Sequence, residues 1–421
     1  MRRLLILADD LSGAADCGVA CANAGLNTIV GLRDISGSST EEALSIDADT
    51  RRLDAGTAAA RMEHLVHTYA AEPEILLFRK IDSTLRGHLG LELSAVLRAR
   101  RASVRHAIAV MAPAFPAFGR TTVNGLQHLY GLPLHRSEVW RHQQMSGKAH
   151  IPAMLQAAGL TTAQVSLTAV RSSSIKLHRA FTAARETAAV LICDAETDAD
   201  LVSIAEATAA LGPEAIWVGS AGLAHCLPSA AGLAHPGRED LAPQLPIAGP
   251  ILFVIGSMSR ISRQQVAMLA TSSGVRVITI PPEILLSGPE SSAWHTLESE
   301  ALHAIQQGQD VILAPGSEPE VEISRRPLLS YALSRICASL PNRIGALVAS
   351  GGETARMVLD AWDIRALRLL GELETGVPVS VVASEGICQG LTVVTKAGEF
   401  GTTETLLHCR ELLHNRRGVF L

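Results

Sequence analysis

Short aliphatic runs separated by longer amphipathic stretches recur along the whole chain, and this alternation limits the fold more than any other feature. The runs are Leu4–Ala8, Thr28–Leu32, Ile75–Phe78, Ala107–Met111, Val190–Cys193 and Ile216–Val218, then Ile251–Ile255, Val275–Ile280, Val311–Ala314, Ala346–Ala349 and Thr392–Val394. A strand with one wet face alternates apolar and polar side chains, whereas a strand covered on both faces stays apolar. Most of these runs stay apolar. Helical periodicity fills the gaps, at Ala55–Tyr69, Leu89–Ala99, Ser262–Thr271, Ser292–Gln306 and Thr354–Trp362. The pattern predicts an α/β protein of mostly parallel sheets flanked by helices.

At 421 residues the chain has room for two or three domains of ~100–200 residues each. The stretch Pro228–Pro250 has loop composition, and a new buried strand follows it. Residues 1–230 are expected to form one domain, 231–248 a linker and 249–421 a second domain, with a cleft between the two. A net charge of −5 without a long basic run argues against a nucleic-acid surface. Every apolar run is far shorter than the ~18 residues of a membrane-spanning helix. Met1-Arg2-Arg3 before Leu4–Ala8 resembles the opening of a signal peptide, but Asp9-Asp10 ends the run too soon. It reads as a first buried strand, and a cytoplasmic location is expected. Cys17, Cys21, Cys193, Cys226, Cys337, Cys388 and Cys409 form no Cys-x-x-Cys pair. They read as scattered buried thiols in a reducing compartment, with no metal site expected.

The densest polar motif is Lys80-Ile81-Asp82-Ser83-Thr84-Leu85-Arg86-Gly87, directly after an apolar run. Open α/β sheets bind ligands at the carboxyl ends of their strands. Cations there can grip an anionic group, while hydroxyls and a carboxylate grip a polyol, so the motif reads as a site for a small hydroxylated acid. Asp9-Asp10 ends the first run, before a helix expected near Ser12, and suits polyol binding or proton abstraction. Adjacent residues point to different sides, so one carboxylate is expected to face the ligand while the other braces the turn. A plain helix cap by Asp10 or Ser12 is the bland alternative. In Asp47-Ala48-Asp49-Thr50-Arg51-Arg52, Arg51 or Arg52 could fork onto a carboxylate. The loop Pro113–Gly125, with Arg120, Thr121 and Asn124, reads as a stiff site wall, and His88 as a packing residue.

In the second half, Ser350-Gly351-Gly352-Glu353-Thr354 follows a strand and opens a helix. Glycines let backbone N–H groups approach a ligand, and a helix N-terminus favours negative charge. Gly256-Ser257-Met258-Ser259 and Lys396-Ala397-Gly398-Glu399-Phe400-Gly401 share that grammar, and Ala314-Pro315-Gly316-Ser317 is a fourth similar turn. No Walker motif is present. Repeated small-residue turns in one domain point to nucleotide phosphates, with Lys396 supplying a cation.

With these residues in view, the chain resembles the four-carbon acid sugar kinase family. The landmarks are Ala8-Asp9-Asp10 with Ser12-Gly13, the Lys80–Gly87 block, and Ala112–Pro116 with Gly119-Arg120-Thr121. Gly219–Ala224, Gly256-Ser257, Gly351–Ala355 and Lys396-Ala397-Gly398 with Phe400-Gly401 follow in the family's order. The Lys80–Gly87 block is the specific one. Departures are Leu11-Ser12 where many members carry Phe-Thr, Glu353 where many have Asp, and Glu399 where glycine is common. The first bears on substrate subtype.

The resemblance implies an N-terminal domain for the sugar acid and a C-terminal domain for ATP. The reaction would phosphorylate the terminal hydroxyl of D-threonate, D-erythronate or 3-oxo-tetronate. It implies a substrate site of Asp9 or Asp10, Arg51, Lys80, Ile81, Asp82 and Ser83, and a nucleotide site of Ser257, Gly351, Gly352, Glu353, Thr354 and Gly398; Ser259, Ser350 and Lys396 belong to the same turns. The γ-phosphoryl group of ATP would pass in line to the primary hydroxyl, with Mg²⁺ bridging phosphates. Arg86, Lys80 and Arg51 are candidates for the acid's carboxylate, and Asp82, Ser83 and Asp10 for its hydroxyls. Asp10 or Asp82 would act as base or orienter, with Asp10 favoured. The partners expected are small molecules, with a homodimer on general frequency. A hydroxy-acid dehydrogenase would require Gly-x-Gly-x-x-Gly after a strand, which has no convincing copy here. A non-catalytic sugar-acid sensor would not need the phosphate-type turns.

Overall fold

The computed structural model describes residues 3–33, 35, 41–143, 145–235, 247–281, 283–284, 290–316 and 326–415. Most of the expected linker, and Ser317 of the fourth turn, lie outside these residues. The strands in chain order are β1 (Leu4–Ala8), β2 (Thr28–Gly31), β3 (Ala43–Asp47), β4 (Leu76–Lys80), β5 (Ile108–Ala112), β6 (Arg120–Val123), β7 (Leu126–Leu129), β8 (Leu132–Pro133), β9 (Thr162–Val165), β10 (Val190–Cys193), β11 (Ala215–Gly219), β12 (Ile251–Ile255), β13 (Val275–Ile280), β14 (Asp310–Pro315), β15 (Ala346–Ser350), β16 (Ala366–Glu372), β17 (Pro378–Val382) and β18 (Thr392–Lys396). The chain divides into two compact units, Met1–Thr28 with Ser39–Arg238 and Ile29–Ser38 with Glu239–Leu421.

The first unit carries a parallel sheet in the order β3-β1-β4-β11-β5-β10-β9. Because β1 lies between β3 and β4, successive connections leave it in opposite directions. That reversal leaves a crevice at the strands' carboxyl ends. One sheet face contributes Leu5, Leu7, Leu77, Met111, Ile192 and Val218 to a core shared with Met62 and Val66 of helix Ala55–Tyr69 and Leu93 and Val96 of helix Leu89–Ser103. Each such side chain contributes about 1.5–3 kcal/mol by leaving water. A small antiparallel sheet, β6-β7-β8, follows the Pro113–Gly119 loop.

In the second unit β13-β14-β12-β15-β18 run parallel, and β17, β16 and β2 extend the sheet antiparallel. The early segment Ile29–Ser38 groups here because Ile29, Val30 and Gly31 pair with Arg368, Leu367 and Ala366. Phe253, Ile312, Val348, Val379 and Val394 form the sheet side of its core, packed by Leu269, Leu406 and Leu413.

The mostly parallel α/β reading holds, with strand ends displaced by a residue or two. The expected Ile75–Phe78 is Leu76–Lys80: the strand runs on through Arg79 and Lys80, both buried despite their charge. Besides the small sheet β6-β7-β8, the strands not expected from sequence are β3, β9, β16 and β17. Each interrupts its apolar run with polar residues: Ser45 and Asp47 in β3, Thr162 and Gln164 in β9, Arg368 in β16 and Ser380 in β17. Ser45 is buried only because its hydroxyl donates to Ala14 O at 2.7 Å. No helix among the described residues is long and apolar enough to cross a membrane.

Candidate active site

Ala8 at the end of β1 is in register with Asp47 at the end of β3 and Lys80 at the end of β4. The segments that follow these ends therefore meet at one edge of the sheet. Asp10 has extended backbone (φ −151°, ψ 163°) and caps helix Leu11–Asn23, its Oδ1 accepting from Gly13 N at 2.8 Å. Gly13 leaves the room that Lys80 fills: a Cβ there would lie 2.5 Å from Lys80 Nζ.

Asp9 is buried and Asp10 partly exposed, with side-chain exposures of 3% and 24%. Both engage Arg51. Its Nε and Nη2 donate to Asp9 Oδ2 at 3.1 and 2.9 Å, and its Nη1 donates to Asp10 Oδ2 at 2.6 Å. Arg51, rather than Arg52, is thus the arginine brought onto the two acids; Arg52 pairs with Asp49. Burial acts to raise the Asp9 pKa, but Arg51 and Lys80 outweigh it and hold the carboxyl below its usual value. Burial likewise opposes the Lys80 charge, while Asp9 and Asp10 keep that ammonium above its usual value.

The rest of the motif folds into a tight turn. Leu85 N donates to Asp82 O at 2.9 Å, with Leu85 at φ +59° and Gly87 at φ +88°. The left-handed leucine is strain of the kind concentrated at functional sites. The turn returns Arg86 onto Asp82, Nε at 2.5 Å and Nη2 at 3.0 Å, and Thr84 Oγ1 also donates to that carboxylate. Burial alone would raise the Asp82 pKa; Arg86 drives it well below the usual carboxylate range. Ile81 is buried and its N–H bonds Gly219 O at 2.9 Å, so its side chain belongs to the core. His88 Nε2 lies 2.7 Å from Leu53 O.

Several contributors were missed by sequence reasoning. Thr50 Oγ1 and Asp16 Oδ1 are buried without a hydrogen-bond partner among the described residues, as is Oδ1 of the expected site residue Asp9. Gln127 is fully buried, takes a bond from Thr122 Oγ1 at 2.7 Å and donates to Ser83 O at 2.9 Å. It therefore ties the β6–β7 hairpin to the motif. Asn124 and Gly125 form that hairpin's turn, at φ +51° and +68°, and Asp194 accepts from both N–H groups at 2.9 Å. The Asn-Gly pair was the available signal for a two-residue hairpin.

Burial pushes the Asp16 carboxyl up to about 6, against the pull of Lys80. Its folded pKa thus exceeds the unfolded value of about 3.9, and ionisation opposes folding. The penalty is absent below the unfolded pKa and complete above the folded one. Asp16→Asn is expected to stabilise the protein by on the order of 2–3 kcal/mol at pH 7.5. The gain should vanish near pH ~4, as urea unfolding at the two pH values will test.

In the second unit Ser350, at the end of β15, is in register with Ile255 of β12 and Lys396 of β18. Three of the four small-residue turns therefore stand side by side. Gly256 N bonds Ser350 O at 3.0 Å, and Gly351 N bonds Lys396 O at 2.9 Å. Gly351 caps helix Gly352–Ala361 at φ +102°. Glu353 sits in the first turn of that helix, and buried Thr354 Oγ1 lies 2.8 Å from Ser330 Oγ. A Cβ on Gly256 would run into Thr354, and one on Gly398 into Ser257. Ser350 Oγ is buried without a partner among the described residues. A cradle of glycines, hydroxyls and a helix N-terminus fits nucleotide phosphates. Lys396 does not extend as a free cation; its Nζ donates to Ala397 O at 3.0 Å and Gly398 O at 3.3 Å. Burial among these neutral carbonyls lowers its pKa to about 8.

A model described as a sugar-binding N-terminal domain matches residues 4–227, and one described as a nucleotide-binding C-terminal domain matches residues 252–406. The chain is similar to the D-threonate kinases of Cupriavidus necator (37% identity over 98% of both chains) and Bordetella bronchiseptica (32%, 98% of both). It is also similar to a 3-oxo-tetronate kinase of Methylobacterium radiotolerans (26%, 94% of this chain and 95% of the relative). The fold matches a crystal structure from Salmonella typhimurium LT2 at a TM-score of 0.78 and 19% identity, over 97% and 98% of the two chains. A sugar-binding first domain and a nucleotide-binding second domain, matched in order along a chain alike from end to end to these kinases, place it in the four-carbon acid sugar kinase family.

Proposed function

We propose that this protein is an ATP-dependent kinase that phosphorylates the 4-hydroxyl of a four-carbon sugar acid, with D-threonate as its substrate. The observation that carries the reading is the convergence of Asp9, Asp10 and Asp82 with Arg51, Lys80 and Arg86 in the sugar-binding domain. D-threonate is favoured among the acids because the two D-threonate kinases are the more similar relatives named above.

The roles divide by what each group already holds. Arg51 is clamped between two carboxylates, so it orders Asp9 and Asp10. Arg86 has a side chain 39% exposed and, with Lys80, meets the acid's carboxylate. Asp82 is held by Arg86 and Thr84 and is a poor proton acceptor. Asp10, at 24% side-chain exposure against 3% for Asp9, is the reachable carboxylate and orients or deprotonates the attacking hydroxyl. The Ser257, Ser350–Thr354 and Gly398 turns receive the phosphates of ATP. Mg²⁺, when bound to those phosphates, supplies charge neutralisation.

The test is ADP release from Mg-ATP in the presence of D-threonate, D-erythronate or 3-oxo-tetronate. Turnover with D-threonate, well above that with the other two, is expected. Preference for another tetronate would reassign the substrate, and no ADP with any four-carbon acid would refute the kinase reading.

A further inference from the structure

The Gly398 carbonyl oxygen accepts from three side chains: Ser259 Oγ at 2.9 Å, Ser262 Oγ at 2.7 Å and Lys396 Nζ at 3.3 Å. Lys396 Nζ also donates to Ala397 O at 3.0 Å, which takes a second bond from Phe400 N at 3.1 Å. A trans peptide is planar, so its N–H points opposite to its C=O. Two consecutive carbonyls that converge on one ammonium therefore turn the N–H groups of Gly398 and Glu399 to the other side. No described residue accepts from either N–H. Successive backbone N–H groups facing one way make an anion-binding concavity.

Proton counting singles out Ser262. Ser259 has one hydroxyl proton and two acceptors in reach, Gly398 O and, at 3.1 Å, Ser262 Oγ. Ser262 makes the shortest of the three bonds, from a position with 0% exposure in the first turn of helix Arg260–Leu269. Buried there, it cannot itself reach a ligand in solvent. Its effect must pass through the peptide it holds.

We propose that Ser262 is a positioning residue for phosphate binding, fixing the Gly398 carbonyl so that the Gly398 and Glu399 N–H groups face a phosphate of the nucleotide. The inference rests on the nucleotide reading of the second unit. Ser262→Ala removes a single oxygen and should preserve the fold, as its melting curve will show. Calorimetric titration of the full-length variant with ATP and with adenosine separates the roles. ATP affinity is expected to fall about tenfold, the effect of one buried hydrogen bond. Adenosine affinity and the KM for D-threonate should stay at wild-type values. Unchanged ATP affinity overturns the proposal, as does an equal loss for ATP and adenosine, which would mark a merely structural role. Failure of the wild-type protein to bind ATP would instead remove the nucleotide reading beneath it.

Discussion

Asp10→Asn should lower kcat with D-threonate by about 10²–10⁴-fold, the usual contribution of a positioned acid–base group. The helix cap should survive, because asparagine caps a helix about as well as aspartate and its Oδ1 can still accept from Gly13 N; its Nδ2 then replaces the oxygen that Arg51 Nη1 holds, so the charge pair is lost and a melting curve measures that cost. Arg51 keeps both its bonds to Asp9. The substitution thus separates two readings of one residue. If Asp10 serves only as the cap that its 2.8 Å bond to Gly13 N makes it, kcat stays near wild type. If its Oδ2, which Arg51 holds at 2.6 Å, orients the attacking hydroxyl, turnover collapses while ATP affinity is retained. Steady-state kinetics and ATP titration on the same variant decide the matter.

Arg79→Met should strongly destabilise the first unit. Arg79 Nη2 pairs with Glu92 Oε2 at 2.9 Å, with side-chain exposures of only 1% and 4%. Its Nη1 bonds Leu7 O at 3.0 Å and also Lys80 O. Removing one partner leaves a buried carboxylate uncompensated, at a cost of about 3–5 kcal/mol. In a unit this size that corresponds to a Tm fall of roughly 6–20 °C. The backbone contacts fall at Leu7, two residues before Asp9, and on Lys80 itself, so the KM for the acid should rise as well. The double variant Arg79→Met/Glu92→Leu should recover part of the stability, since an apolar pair can replace a buried ion pair. A double variant no more stable than Arg79→Met would contradict this account of the pair. Differential scanning calorimetry gives the comparison.

What the sequence made legible follows from the range of the interactions involved. Leu4–Ala8 is a strand because its five residues are all buried, and an unbroken apolar run announces that. Lys80–Gly87 stands out because its charges and hydroxyls are consecutive, and most of its internal bonds, such as Arg86 to Asp82, span four residues or fewer. Contacts between distant segments left no such trace. Arg51 and Asp9 are 42 residues apart, and Gln127 and Ser83 are 44 apart. Nothing in an isolated glutamine marks it as a strut. The meeting of Asp9 and Asp10 on one guanidinium was equally hidden, because Arg51 lies 42 and 41 residues away from them in the chain. In the second unit each glycine turn was readable, but their adjacency depends on the strand order β12-β15-β18. Lys396 was read as a cation for phosphate because its charge is visible in sequence, while its burial against its own turn is not.

The proposed reaction is phosphoryl transfer from ATP to the 4-hydroxyl of a four-carbon acid. The most direct measurement is ¹H–³¹P correlation NMR of the product formed from Mg-ATP and D-threonate. Equimolar ADP and a phosphomonoester whose phosphorus couples to the two C4 protons are expected from this reaction. A phosphorus coupled to C2 or C3 protons, or ADP formed without any phosphorylated acid, would contradict it.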